Sequence, residues 1–143
     1  MMKATFGFGT IFVLSIPNSE IMKAVLTLLF GIIMLLPQEV DKGDVIGNWE
    51  GKIEAPGVDL KIVFHITYLN KELGATMDSP SQDAFGLKMD EVKYTEQGLE
   101  MTIKQYNGTF KGKAKDGKII GKWTQGGQTF DLNLTRIKRT GTS

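Results

Sequence analysis

Three groups of residues in this chain carry side chains able to do chemistry. His65, Asp78 and Ser79 are the residue types of a hydrolytic triad. Such a triad needs the serine hydrogen-bonded to the histidine, the histidine held by the aspartate, and oxyanion donors close by. His65 shares the strand parity of Lys61 and Val63, opposite to that of Leu60, Ile62, Phe64 and Ile66. It is therefore expected on the outer face, away from a protected site, and no triad is expected. The second group is the stretch Asp78-Ser79-Pro80-Ser81-Gln82-Asp83, whose oxygens would suit a hard cation. It lacks the spacing and the downstream bidentate glutamate of a calcium loop. A Ser-Pro turn is the expected structure, with Asp78, Ser79 and Gln82 at a mouth loop able to touch a ligand. The third group is Trp123 and Gln125, which share the parity of Ile119 and are expected to point inward. A buried amide must find partners or line a wet cavity, because leaving it unpaired costs about 1–3 kcal/mol.

The chain has no cysteine and one histidine. Thiolate metal centres, cysteine nucleophiles, disulfides and histidine-cluster metal sites are thereby excluded. No G-x-S-x-G nucleophile elbow occurs. The expectation is a protein that is not an enzyme and uses no cofactor and no metal.

The elements that must position these residues are strands. Leu60 to Tyr68, Leu99 to Ile103, Phe110 to Ala114 and Phe130 to Leu134 alternate apolar with polar residues. This period of two marks antiparallel strands with one wet face. Turn signals separate the runs at Ala55-Pro56-Gly57, Asn70-Lys71, Gln97-Gly98, Asn107-Gly108, Asp116-Gly117 and Gly126-Gly127. Counting the runs between them predicts eight strands, over 46–55, 58–68, 72–78, 87–95, 98–106, 109–115, 118–125 and 128–136. Leu87 and Met89 share a parity that Val92 and Tyr94 reverse, which predicts a bulge near Asp90-Glu91. The predicted fold is an all-β, eight-stranded antiparallel up-and-down barrel over residues 45–137. A β-sandwich is the alternative, disfavoured because no connection is long enough for a Greek-key crossover.

The segments flanking the domain have a different character. Met22-Lys23 precedes an apolar run from Ala24 to Leu36 that stops at Pro37. The run is too short to span a bilayer and matches a secretory signal over residues 22–38, cut near Pro37 or Gln38. Residues 1–21 then read as an upstream extension and 138–143 as a polar tail. Extracytoplasmic localisation, periplasmic or secreted, follows as the expectation, with no integral membrane span. Charge is also uneven: residues 37–99 hold 6 basic and 12 acidic residues, and residues 100–143 hold 9 basic and 3 acidic. Lys104, Lys111, Lys113, Lys115 and Lys122 fall on outward parities of adjacent strands. A solvated lysine face is the simpler reading, and a basic stripe for an anionic surface or polymer is the alternative. Nothing aromatic is interleaved for base stacking, so no nucleic-acid partner is expected.

Gly47-Asn48-Trp49 opens the first strand, and Leu132-Asn133-Leu134-Thr135-Arg136 closes the last. This arrangement resembles the calycin superfamily, which includes the lipocalins and fatty-acid-binding proteins. The resemblance implies that Gly47, Trp49 and Arg136 close one end of a barrel, with the guanidinium over the indole. Four motifs in order extend the likeness: Gly47 to Gly51, Ala75 to Gln82, Gly121 to Gly127, and Leu132-x-Leu134-x-Arg136. Together they resemble the β-domain that often stands before a serine α/β-hydrolase domain in secreted bacterial proteins. Asp83 and Lys88 depart from the usual Gly and Pro of that pattern.

Two functions remain open from the sequence. In the first, a secreted non-catalytic barrel binds a small apolar or amphipathic molecule. Its lining would be Phe64, Met77, Met101, Phe110, Trp123, Gln125 and Phe130, with room left at the small positions Gly51, Ala75, Gly112, Ala114 and Gly121. In the second, the interior is filled by its own side chains, and the outer surface docks a separate secreted hydrolase or envelope partner. A monomer is expected in either case.

Overall fold

The computed structural model describes residues 18–33 and 39–138. The expected extension up to residue 17, the cleavage region around Pro37 and Gln38, and the tail from residue 139 lie outside the described residues. The chain divides into two compact units, residues 1–38 and 39–143.

In the first unit, Asn18–Ile33 form helix α1. Glu20 in its first turn suits the positive end of the helix dipole and pairs with Lys23 at 3.2 Å. Ile21, Met22, Val25, Leu26, Leu28 and Leu29 are all exposed. No described helix is long and apolar enough to cross a membrane.

The second unit is an antiparallel sheet of ten strands. They are β1 Gly47–Ala55, β2 Val58–Leu69, β3 Glu72–Ser79, β4 Ala84–Lys88 and β5 Glu91–Thr95. The rest are β6 Gly98–Ile103, β7 Gly108–Lys115, β8 Lys118–Gln125, β9 Gln128–Asp131 and β10 Leu134–Ile137. The tight turns fall where the sequence places them. Asn70, Lys71, Asn107 and Asp116 take positive φ, and so do Gly117, Gly126 and Gly127.

The sheet order is β4-β3-β2-β1-β10-β8-β7-β6-β5, with β9 also on β8. The eight-stranded closed barrel expected from the sequence is corrected on both counts: there are ten strands, and the ladder is not closed. Two predicted strands are each divided in two. Over 87–95 the chain turns at Met89-Asp90 instead of bulging. Met89 N–H donates to the Ala75 carbonyl on β3, while the next amide, Asp90 N–H, donates to the Thr102 carbonyl on β6. One peptide step thus joins the two ends of the sheet, and its strand cannot pair fully with either. In the last strand, β9 and β10 share one register along β8, interrupted at Leu132-Asn133. Leu132 N–H still donates to the Gly121 carbonyl across this break.

The buried face gathers residues from both halves of the sheet. Trp49, Phe64, Leu99, Met101, Phe110, Ile119, Leu132 and Leu134 are fully buried. Phe64 on β2 lies 5.5 Å from Phe110 on β7 and 6.4 Å from Trp123 on β8, centroid to centroid. The sheet therefore curls so that its first and second halves pack on each other. Each such side chain contributes about 1.5–3 kcal/mol through removal from water.

Candidate functional site

His65 is the centre of a side-chain chain across three strands. Asn48 on β1 stands directly opposite it, and Asp78 on β3 is its diagonal neighbour, two residues from its direct partner Thr76. His65 Nδ1 is 2.8 Å from Asn48 Oδ1, and Nε2 is 2.9 Å from Asp78 Oδ2. The other carboxylate oxygen of Asp78 accepts from Gly86 N–H at 2.7 Å. Burial opposes ionisation of Asp78, but the bonds from Gly86 and His65 outweigh it. The carboxyl is held below the ordinary aspartate value of 3.8. Ser79 turns away from this chain. It is buried at 1% exposure and donates to Gln82 Oε1 at 2.9 Å. With both ring nitrogens of His65 engaged and Ser79 bonded elsewhere, the three residues do not form the relay of a triad. His65 is half-buried rather than free on the surface. Its partner Asn48 carried no signal in the sequence beyond its place in Gly47-Asn48-Trp49.

Asp78, Ser79 and Gln82 do meet at one loop. Pro80–Gln82 make a 3₁₀ turn, and Asp83 takes the left-handed conformation that lets β4 start at Ala84, three residues earlier than predicted. A glycine at position 83 would adopt this conformation with less strain.

Trp49 and Arg136 are directly opposed on β1 and β10. The guanidinium carbon stands 4.3 Å from the indole centroid. Arg136 also donates to the carbonyls of Ile46 at 2.5 Å, Asp44 at 3.0 Å and Gly43 at 3.5 Å. Trp49 Nε1 donates to the Val45 carbonyl at 2.8 Å. One face of the arginine covers the ring while its residue remains exposed to solvent, so it is a lid rather than a core side chain. Gly47 has φ +135, and a Cβ there would lie 2.6 Å from the guanidinium. Glycine is required for this approach.

Of the residues expected to line an interior, Phe64, Met77, Met101, Phe110 and Trp123 are buried, and Phe130 is half-buried against them. Gln125 corrects the expectation. It is exposed, and its Oε1 accepts from Trp123 Nε1 at 2.9 Å. At the inward Gly51, Gly112 and Gly121, neighbours stand where a side chain would begin. A Cβ at Gly121 would lie 2.6 Å from Phe110 Cζ, and one at Gly112 would lie 2.8 Å from the same atom. At Gly51 it would meet the Asn133 carbonyl at 2.5 Å, and at Gly108 the Trp123 ring at 2.5 Å.

Two concavities among the described residues open on the outside. One, of about 570 Å³, lies at the unclosed seam between β3 and β5, with Leu73, Val92 and Tyr94 beneath it. Another, of about 640 Å³, lies on the outer face over β5–β9 and is lined by Lys93, Glu100, Lys111, Lys113, Ile120 and Lys122, among others. There, Lys93, Glu100, Lys111, Lys122 and Asp131 form one row straight across five strands. Lys111 pairs with Glu100 at 3.5 Å, and Lys122 pairs with Asp131 at 2.7 Å. Among the described residues, Lys113, Lys115 and Lys118 make no ion pair. Lys118, which the sequence reading left out of the basic stripe, belongs to it because it stands opposite Lys115. Compared with known proteins, the chain matches no family model and no curated protein.

Proposed function

We propose that this protein is an extracytoplasmic, non-catalytic β-domain of calycin-like, lipocalin-related type that works as an interaction module. Its interior is filled by its own side chains, and its outer surface engages a partner such as a separate secreted hydrolase. The observation that carries this reading is the occupancy of the inward glycines, above all the Phe110 ring seated over both Gly112 and Gly121. Gly112 and Gly121 are two of the five small positions that argued for ligand space from the sequence, and the Phe110 ring leans into both. The Arg136 lid on Trp49, and the single chain step that links the two sheet ends, support the kinship with closed calycin barrels. The engagement of both His65 ring nitrogens supports a non-catalytic role. Helix α1, which carries Ala24 to Ile33 of the apolar run, supports an export segment, with the mature chain starting near Gln38.

Two measurements test the reading. Intact mass of the protein from the extracytoplasmic fraction should correspond to a start near Gln38, and a full-length species retained inside the cell refutes export. Titration with oleate, followed by calorimetry and Trp fluorescence, should show no saturable one-to-one complex. Stoichiometric binding that is lost when Phe110 is changed would refute the filled interior and restore the small-ligand function.

A further inference from the structure

We propose that the outward face of the β7–β8 hairpin is a docking site for an extended acidic polypeptide segment with an apolar residue near its centre. The proposal rests on the reading that this domain works through its surface, and names the surface and the chemistry of the partner.

Six outward side chains form a grid on these two strands. Lys111 stands opposite Lys122, Lys113 opposite Ile120, and Lys115 opposite Lys118. Five lysines thus surround one isoleucine that is 50% exposed. Like charges directly opposed across an antiparallel pair are unfavourable in the isolated sheet. The comparable pair Lys52 and Lys61 is relieved by Asp59 and Glu50, at 2.9 Å each. Lys115 and Lys118 have no such relief among the described residues, nor has Lys113 beside them. An incoming carboxylate would supply it. The surroundings reinforce the sign, since residues 100–143 carry 9 basic and 3 acidic side chains. A surface with this excess of positive charge draws an oppositely charged partner.

The spacing selects a polypeptide. Lys111, Lys113 and Lys115 repeat every second residue, about 6.5–6.8 Å apart along a strand. An extended chain with acids at alternate positions has the same repeat, and a central apolar side chain would meet Ile120. Other anionic partners fit less well. Glu100 and Asp131 sit in the same groove and would repel a uniform polyanion. The groove lining holds no aromatic side chain on which a base could stack. Ile120 is the one exposed apolar side chain in the lining, and it lies on the strand rather than at the Asp116-Gly117 tip that a lipid surface would meet first.

The test uses the mature protein and a fluorescein-labelled nonapeptide of alternating Glu and Ser with a central Leu, read by fluorescence anisotropy. Saturable binding is expected, weakening about tenfold between 50 and 300 mM NaCl. The triple variant Lys113→Gln, Lys115→Gln, Lys118→Gln should bind about tenfold more weakly at low salt. Ile120→Ser should weaken binding without changing the salt dependence, and Lys52→Gln with Lys61→Gln should leave it unchanged. All six substituted positions are exposed, and unaltered circular dichroism confirms that each variant is folded. Absence of saturable binding, equal binding by the triple variant, or tighter binding of phosphatidylglycerol vesicles or polyphosphate than of the peptide overturns the proposal. Because every substitution faces outward, these outcomes are independent of the oleate titration. Failure here with no oleate complex removes the site but leaves the filled interior standing.

Discussion

Removing Trp49 and Arg136 separately and together measures what the lid is worth. Trp49→Leu keeps apolar bulk in a fully buried position but deletes both the ring beneath Arg136 and the Nε1–H that bonds the Val45 carbonyl. A lost buried bond with an orphaned acceptor costs about 1–3 kcal/mol. Arg136→Leu removes the cation 4.3 Å above the ring and the donors to the carbonyls of Gly43, Asp44 and Ile46. At an exposed to half-shielded site, the cation–ring attraction is worth about 0.5–2 kcal/mol. The double variant loses that attraction once, not twice, so the two single costs should exceed the double by about 1 kcal/mol. With a urea slope of about 1–2 kcal/mol/M for a domain of this size, that coupling appears as a midpoint discrepancy of about 0.5–1 M. Equilibrium urea unfolding followed by far-ultraviolet circular dichroism gives all four midpoints. Additivity within about 0.3–0.5 kcal/mol, as found for well-separated sites, would refute the lid. The carbonyl bonds of Arg136 would then be its whole contribution.

Two further outcomes follow from the glycines and from Asp78. Gly121→Ala, whose Cβ meets the Lys111 carbonyl and Phe110 at 2.6 Å, should destabilise by about 1–3 kcal/mol. Gly74→Ala, with nothing nearer than 3.8 Å, should be neutral or gain about 0.4–1 kcal/mol; equal thermal shifts for the two would show that the interior is loosely packed. Because the folded-state pKa of Asp78 is depressed, its contribution is complete above the unfolded value near 3.8 and is lost as pH falls through the folded value. The stability gap between the protein and Asp78→Asn should therefore be flat at neutral pH and shrink below about pH 4. A gap that widens with acid would reverse the assignment.

Much of this fold is legible in local pattern. The turns at Asn70-Lys71, Gln97-Gly98 and Asp116-Gly117, and the inward parity of Trp49, Phe64, Met101 and Phe110, depend on neighbours a few residues away. The division at Met89-Asp90 does not. It arises because two successive amides find acceptors on β3 and on β6, residues whose proximity only the assembled sheet creates. Gln125 misled for a different reason. Parity holds along β8 as far as Trp123, but at the strand end before Gly126-Gly127 the amide can stay in water and still bond the indole. At the inward glycines, composition records a missing side chain without recording which neighbour leans into its place, as Phe110 does at Gly112 and Gly121. For the outer face the sequence showed the lysines but not their partners. Only the register tells that Lys111 and Lys122 have acids beside them while Lys115 faces Lys118.

The short strand β10 has a temporal consequence. Strands β1–β4 are paired in sequence as one meander, and β5–β9 as another. Strand pairing joins the two only through β10, by three residue pairs to β1 and two to β8. Local hairpins form within microseconds, whereas a ribosome adds only about 5–20 residues per second. Both meanders can thus be preformed on a nascent chain, but neither can cover the other until residues 134–137 have been made. Until then Phe64 and Phe110 have no strand-paired frame to hold them together. The last four-residue strand acts as the clasp that ends that interval.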